Sequence, residues 1–426
     1  MQLQFFSNPK LPETTDAPAL VSFREIVSEI TDTAYLTHSI YYYPAKFIPQ
    51  VVRFCINQYT KEGDWILDPF AGSATVGLEA YLCKRNCVLL DLNPLLNEIV
   101  PIKIYRASEV PSHARLDAIL SSFNPASAPK FYPQWSNIRY WYPDDLFEAL
   151  ASYWGWLKGL EPSVYAHIIQ ASLIKASKYF SLAEHKTPKL FRSKSKIKFV
   201  DGLLKQNWRE ALKSMIYDVS HKNLESISAL VRRTRGFNVA VSYFGGVDSS
   251  SFLPPLEHSV DCIITSPPYL QAQEYVRTFK LDLYWLGYTE AEVKSISALE
   301  IPYRKPTRLI TTPTIQQVKS ELSREDLLQC IDSYFCHTIG ALENATKRLK
   351  QGGTLCVFIG NPKADGVEIP IWKVLKEHFS QQGFEVISIF EDRIQTRQLF
   401  RARKNKNPDG MKSEFLIVLK KSVEAS

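Results

Sequence analysis

The sequence predicts an α/β fold: a doubly wound, mostly parallel sheet carrying a large, mainly helical insertion. Three observations support this. An apolar run, Trp65-Ile66-Leu67, stops at Asp68-Pro69 and crosses a turn of small residues into a helical stretch. A second apolar run, Cys87-Val88-Leu89-Leu90, then ends at Asp91. Strand, turn, helix, strand is a βαβ unit, the building block of parallel sheets. The same grammar returns after residue 238. Between the two halves, residues 104–238 are rich in aromatics and helical periodicity, without an alternating strand.

The chain has 426 residues, 45% hydrophobic and 22% charged, enough for one large domain or two ordinary ones. No run of about 18 apolar residues suggests a spanning helix, and the first residues do not read as a signal peptide. The seven cysteines form no CxxC pair. Cys83 and Cys87 lack nearby partners for a zinc site, so reduced thiols are expected, with no metal. The net charge of +7 is mild; its distribution says more.

Taken in order, residues 1–25 read as an irregular lead-in and 26–103 as the first part of the sheet domain. Residues 104–238 are the inserted helical and basic subdomain, with helices expected over 146–157 and 164–180. Within it Lys186, Lys189, Arg192, Lys194, Lys196 and Lys198 cluster around Pro188, with Phe191 and Phe199 interleaved. Residues 239–426 are the second part of the sheet domain. There a buried strand at 261–264 precedes helices at 276–286 and 327–349, a Gly352-Gly353 turn, a strand at 354–359, a helix at 372–382 and two closing strands.

Two motifs carry chemistry. Asp68-Pro69-Phe70-Ala71-Gly72-Ser73-Ala74-Thr75 joins a strand to a helix. Small residues there let a ligand approach the backbone, and a helix N-terminus offers free N–H groups to an anionic end. Asp91, ending the next strand, is placed to accept hydrogen bonds from ribose hydroxyls. The second motif, Ser266-Pro267-Pro268-Tyr269, follows a buried strand. Its prolines stiffen the loop and leave carbonyls as free acceptors, and the tyrosine offers a face to a planar ring.

Together these motifs resemble the DNA amino-methyltransferases that modify N6 of adenine or N4 of cytosine. The resemblance covers roughly residues 30–102 and 239–424. It implies a Rossmann-like methyltransferase sheet, S-adenosylmethionine held by the first motif, and a flipped base held by the second. A leading Ser266 is similar to the N4-cytosine members; adenine enzymes usually carry Asp or Asn there. An N6-adenine enzyme, or an RNA methyltransferase on the same fold, remains the alternative. Tyr43, Pro44 and Lys46, preceded by His38, resemble the family segment at the methionine end of the cofactor. Asp248, after Gly245-Gly246, sits where the family places an acid near the adenine ring. Gly360-Asn361-Pro362 with Gly366 resembles a loop beside the target pocket.

One departure is Ala74, where the family's last motif glycine is expected. Alanine suits a first helical turn, so retained binding with altered packing is expected. Ser266, Pro267, Pro268 and Tyr269 are the expected catalytic residues. The insert's basic run, with Arg397, Arg401 and Arg403 in a C-terminal loop, is expected to grip phosphates. The implied partners are double-stranded DNA and a separately encoded restriction endonuclease, in a cytoplasmic, nucleoid-associated enzyme of prokaryotic or phage type.

Overall fold

The computed structural model describes residues 17–44, 46–184, 190–270, 275–394 and 411–423. Eight strands form one sheet in the order β1-β9-β10-β6-β5-β2-β3-β4. They are β1 (Ala19–Val21), β2 (Trp65–Asp68), β3 (Asn86–Asp91), β4 (Val241–Gly245), β5 (Val260–Thr265), β6 (Leu349–Gly360), β9 (Phe384–Arg393) and β10 (Ser413–Lys421). A small hairpin, β7 (Lys363–Ala364) and β8 (Val367–Glu368), stands apart. Strands β4, β3, β2, β5 and β6 run parallel, and β10 lies antiparallel between β6 and β9.

The central strands are buried on both faces, which is why they read as unbroken apolar runs. Successive side chains point to opposite faces. Ile66, Cys87 and Cys262 join a core with Phe23, Phe54 and Leu78. Their neighbours Leu67, Val88 and Ile263 join a second core with Tyr334, Val374 and Phe379. Helices therefore cover both faces of the sheet.

Two expectations shift. Residues 19–26 are not an irregular lead-in: β1 pairs in parallel with β9 at the sheet edge. Phe23 is fully buried against Phe54, Phe358 and Phe390. Pairing to a strand more than 350 residues away leaves no local trace in a three-residue segment. The sheet also resumes at Val241 rather than Val239.

Residues 104–238 carry helices at His113–Ser121, Asp144–Lys158, Val164–Tyr179, Lys194–Leu204 and Trp208–Arg233. Their core includes Ile40, Ile102, Leu281 and Trp285 from the flanking segments. Trp285 stacks on Trp154 at 5.7 Å, and its indole N–H donates to the Tyr142 hydroxyl at 2.8 Å. The insert is thus packed onto the helix that follows the Ser266 loop. Among the described residues, no helix is long and apolar enough to cross a membrane.

Candidate active site

Strands β2 and β5 are neighbours, with Ile66 opposite Cys262 and Leu67 opposite Ile263. From β2 the chain moves to β3 on one side; β6, which follows β5 in the sheet, lies on the other. The connections diverge, leaving a crevice at the carboxyl ends, where ligands bind in open α/β sheets. Asp68 ends β2 and Thr265 ends β5, and Thr265 Oγ1 donates to Asp68 Oδ1 at 2.6 Å across this switch point. The loops beyond them open into one cleft of about 1290 Å³, solvent mouth included.

On the first side Asp68, Phe70, Gly72, Ser73 and Thr75 line the cleft, joined by Asp91 from the tip of β3. Tyr43 and Lys46 lie at the same end, and Asp248 reaches in from beyond β4. On the second side Ser266, Pro268 and Tyr269 line it. Pro44, Ala74 and Pro267 are buried behind the wall. The sequence-derived motifs therefore converge, although they are almost 200 residues apart along the chain.

The cofactor loop wraps around Asp91, whose carboxylate accepts from Gly72 N at 2.6 Å and Asn93 N at 2.7 Å. Gly72 has φ of 50°. A Cβ there would sit 3.3 Å from the Tyr43 ring, so glycine keeps both the turn and the cleft wall open. Burial pushes the Asp91 carboxyl up to about 6, its two backbone hydrogen bonds opposing. Burial also pushes Asp68 up to about 7, against the hydrogen bonds from Thr265 and Phe70.

Asp248 is not free in the cleft. Its carboxylate accepts from Ser250 N and Oγ and pairs with Arg304 Nη1 at 2.8 Å. Burial opposes ionisation, but these Ser250 and Arg304 contacts hold it below the usual carboxylate range. Lys46 donates to His38 O at 2.9 Å and Thr33 O at 3.3 Å, and burial brings its amine down to about 8.

Tyr269 is fixed from behind: its hydroxyl donates to Glu414 Oε1 at 2.7 Å. Gly360, at the end of β6, sits under its ring, where a Cβ would approach Cε2 to 3.2 Å. The adjacent Asn361 accepts from Ile371 N at 3.1 Å at the start of a helix, so it is structural.

Sequence reasoning missed the support behind the cofactor loop. Glu79 is fully buried, accepting from Tyr35 Oη, from His38 Nε2 at 2.7 Å and from Arg53 Nε at 2.9 Å. Burial holds His38 down at about 3, so it acts as a neutral donor. A carboxylate amid Val76, Leu78, Ala80 and Tyr81 was the available signal. Glu414, Arg304, Tyr275 and Asn93 are further residues the motifs did not name. Tyr275 stacks on Tyr43 with ring centres 5.8 Å apart.

Two expectations need correction. Ala74 does not sit in the first helical turn: it caps helix Thr75–Leu82 from the left-handed region, with φ 58° and ψ 38°. Lys196 is 2% exposed; its Nζ donates to Tyr179 O at 2.5 Å and lies over the Tyr179 and Phe199 rings. It is the buried face of an amphipathic helix, withdrawn from any phosphate. Lys194 and Lys198 of the same helix are exposed, and Arg192 stacks over Tyr140 at 4.4 Å. Lys186, Lys189, Arg397, Arg401 and Arg403 lie outside the described residues.

The cleft fits a nucleoside-type cofactor. Asp91 retains acceptor capacity at the strand tip. Among the described residues Asn93 Nδ2 is buried without an acceptor of good geometry, the Tyr43 hydroxyl being close by. An unpaired buried donor is costly unless a ligand completes it.

Residues 17–100 match the family model described as DNA methylase. The Type II methyltransferase M.BsoBI of Geobacillus stearothermophilus is 20% identical over 94% of this chain and 87% of its own length. M.AvaI of Nostoc sp. is 26% identical over 32% of this chain and 33% of its own. M.Cfr9I of Citrobacter freundii is 44% identical over 15% and 20% respectively. The family match falls on the segment that builds the cofactor loop, and the long alignment runs through both halves of the sheet. These matches are what the chain is similar to, and they support a DNA amino-methyltransferase whose methyl donor is S-adenosylmethionine.

Proposed function

We propose that this protein methylates N4 of cytosine in duplex DNA after rotating the base out of the stack. The observation that carries this is the junction at the switch point. Ser266 follows the residue whose hydroxyl bonds Asp68, so the target loop and the cofactor loop share one cleft.

S-adenosylmethionine supplies an electrophilic methyl group on a positively charged sulfur. Gly72 to Thr75, Asp91, Asn93 and Lys46 are the residues that would hold it. A stacked base cannot reach this depth, hence base flipping. Tyr269, pinned by Glu414, offers its face to the extruded ring. Ser266 Oγ accepts a hydrogen bond from the amino group, drawing its nitrogen out of conjugation and aiming it, while buried Pro267 stiffens the loop from behind. Positioning then contributes more than covalent chemistry. Ser266 is a poor base, and the proton leaves to water. The transfer as proposed requires neither a nucleophilic cysteine nor a metal.

The insert supplies the grip on DNA in this reading. Tyr43 in the cleft packs on Phe279 at 4.8 Å, and Lys178 lies over Phe279 at 5.7 Å. From there helix Lys194–Leu204 presents Lys194 and Lys198, beside exposed Phe191, Phe199 and Tyr140. Cations interleaved with aromatics suit phosphates and splayed bases. The Type II relatives support a separately encoded restriction endonuclease as partner.

The test is to incubate the protein with unmethylated duplex DNA and labelled cofactor, digest to nucleosides and identify the product by mass spectrometry. N4-methyldeoxycytidine is expected. N6-methyldeoxyadenosine would overturn the base assignment, and label only in RNA would overturn the substrate class.

A further inference from the structure

We propose that Lys103 is a positioning residue for the cofactor loop: its Nζ clamps the Ser73 carbonyl and holds a left-handed turn that Ala74 alone disfavours. Lys103 is the last residue of helix Leu96–Lys103, which follows Asp91 along the chain. Its side chain is almost wholly buried, and its Nζ donates to Ser73 O. The main chain that delivers it is itself anchored, because Thr37 Oγ1 donates to Lys103 O at 2.6 Å.

Ser73 lies between two residues at positive φ, Gly72 at 50° and Ala74 at 58°. Glycine adopts this region freely. In alanine the Cβ crowds the following carbonyl, so the conformation persists only where its surroundings over-determine it. The easiest escape for Ala74 is a flip of the peptide between residues 73 and 74, which would swing the Ser73 carbonyl away. A donor fixed on that oxygen opposes the flip. The turn also closes on itself through Ala74 N to Ala71 O at 2.7 Å, and Ala74 is fully buried.

The consequence falls on the cleft wall, since Gly72, Ser73 and Thr75 all line it. Burial pushes the Lys103 amine well below its ordinary value, with Lys46 adding to the effect. The clamp does not depend on charge, because a neutral amine still donates N–H. The idea concerns the cofactor end alone; which base is methylated does not enter.

The experiment compares Lys103→Met with Lys103→Met/Ala74→Gly in the full chain. It reads calorimetric titration with S-adenosylmethionine, and the melting temperature without it. Lys103→Met is expected to weaken binding about tenfold, the left-handed penalty expressed as affinity, and to melt earlier. Adding Ala74→Gly should recover most of both, because glycine holds the turn unaided. A Lys103→Met protein with unchanged affinity overturns the proposal, as does a double variant that stays weak or fails to fold. Loss of base methylation with intact cofactor binding would instead count against the proposed function.

Discussion

The two loops that meet at the strand tips are held by different means. The cofactor loop rests on a buried polar scaffold: Asp91 accepts the Gly72 N–H, Lys103 donates to the Ser73 carbonyl, and Glu79 ties the following helix to Tyr35, His38 and Arg53. Among the described residues the target loop shows no such buried polar scaffold. Its stiffness comes from Pro267 and Pro268, and hydrogen bonds from Thr265 to Asp68 and from Tyr269 to Glu414 fix its ends. A loop that must present one fixed shape to one cofactor is over-determined. In the proposed function the target loop admits a base and releases it, which suits a loop stiff within itself and, among the described residues, tied at few points.

Removing the scaffold should therefore cost more than loosening the target loop. Glu79→Ala strands the Arg53 guanidinium, only 9% exposed, without its carboxylate. Breaking one side of a buried pair costs about 3–5 kcal/mol, so chemical denaturation should show a loss of that size. A loss under about 1 kcal/mol would mean the scaffold is idle.

Next in size is Tyr269→Ala. Stacking on an extruded base is worth about 1–3 kcal/mol, so turnover should fall roughly five- to 150-fold. The dissociation constant for the cofactor should not change. Full turnover would remove the stacking role, and a parallel loss of cofactor binding would erase the contrast between the loops.

Thr265→Val tests the bond that joins Thr265 to Asp68. Leaving Asp68 short of a donor costs about 1–3 kcal/mol and should raise its pKa further above about 7. The sign follows from linkage: a carboxyl raised in the folded state favours the protonated form. Its stabilising share is full below the ordinary carboxylate range and is lost as pH rises through about 7. Melting temperature followed from pH 5 to 9 should thus fall over a wider span in Thr265→Val than in the wild type. Identical profiles would deny Asp68 that environment.

The smallest effect concerns Asp91. Held up at about 6 by burial, it accepts ribose hydroxyls best when ionised. Cofactor affinity should weaken progressively as pH drops through about 6, by calorimetry, while duplex affinity follows no such inflection. An affinity flat from pH 5 to 8 would remove Asp91 from the ribose contact.

Much of the core architecture was legible because buried parallel strands are written locally. Trp65 to Leu67, Cys87 to Leu90 and Asp261 to Ile264 are short apolar runs stopped by Asp or Thr, and they became β2, β3 and β5. The two loops were legible for a related reason, since small residues and paired prolines announce their backbone constraints in the sequence itself.

What the sequence determined by itself was therefore the βαβ grammar, the residues at the strand tips and the cofactor family. The tertiary structure alone decided which polar side chains turn inward. Lys196 and Lys198 look alike in a basic run, yet one is buried over two aromatic rings and the other is exposed. Glu79, Lys103 and Glu414 sit in ordinary helical or strand positions, and only their distant partners give them work. The physical reason is that burial and hydrogen-bond pairing are properties of what surrounds a residue in space, while spacing records only what precedes and follows it.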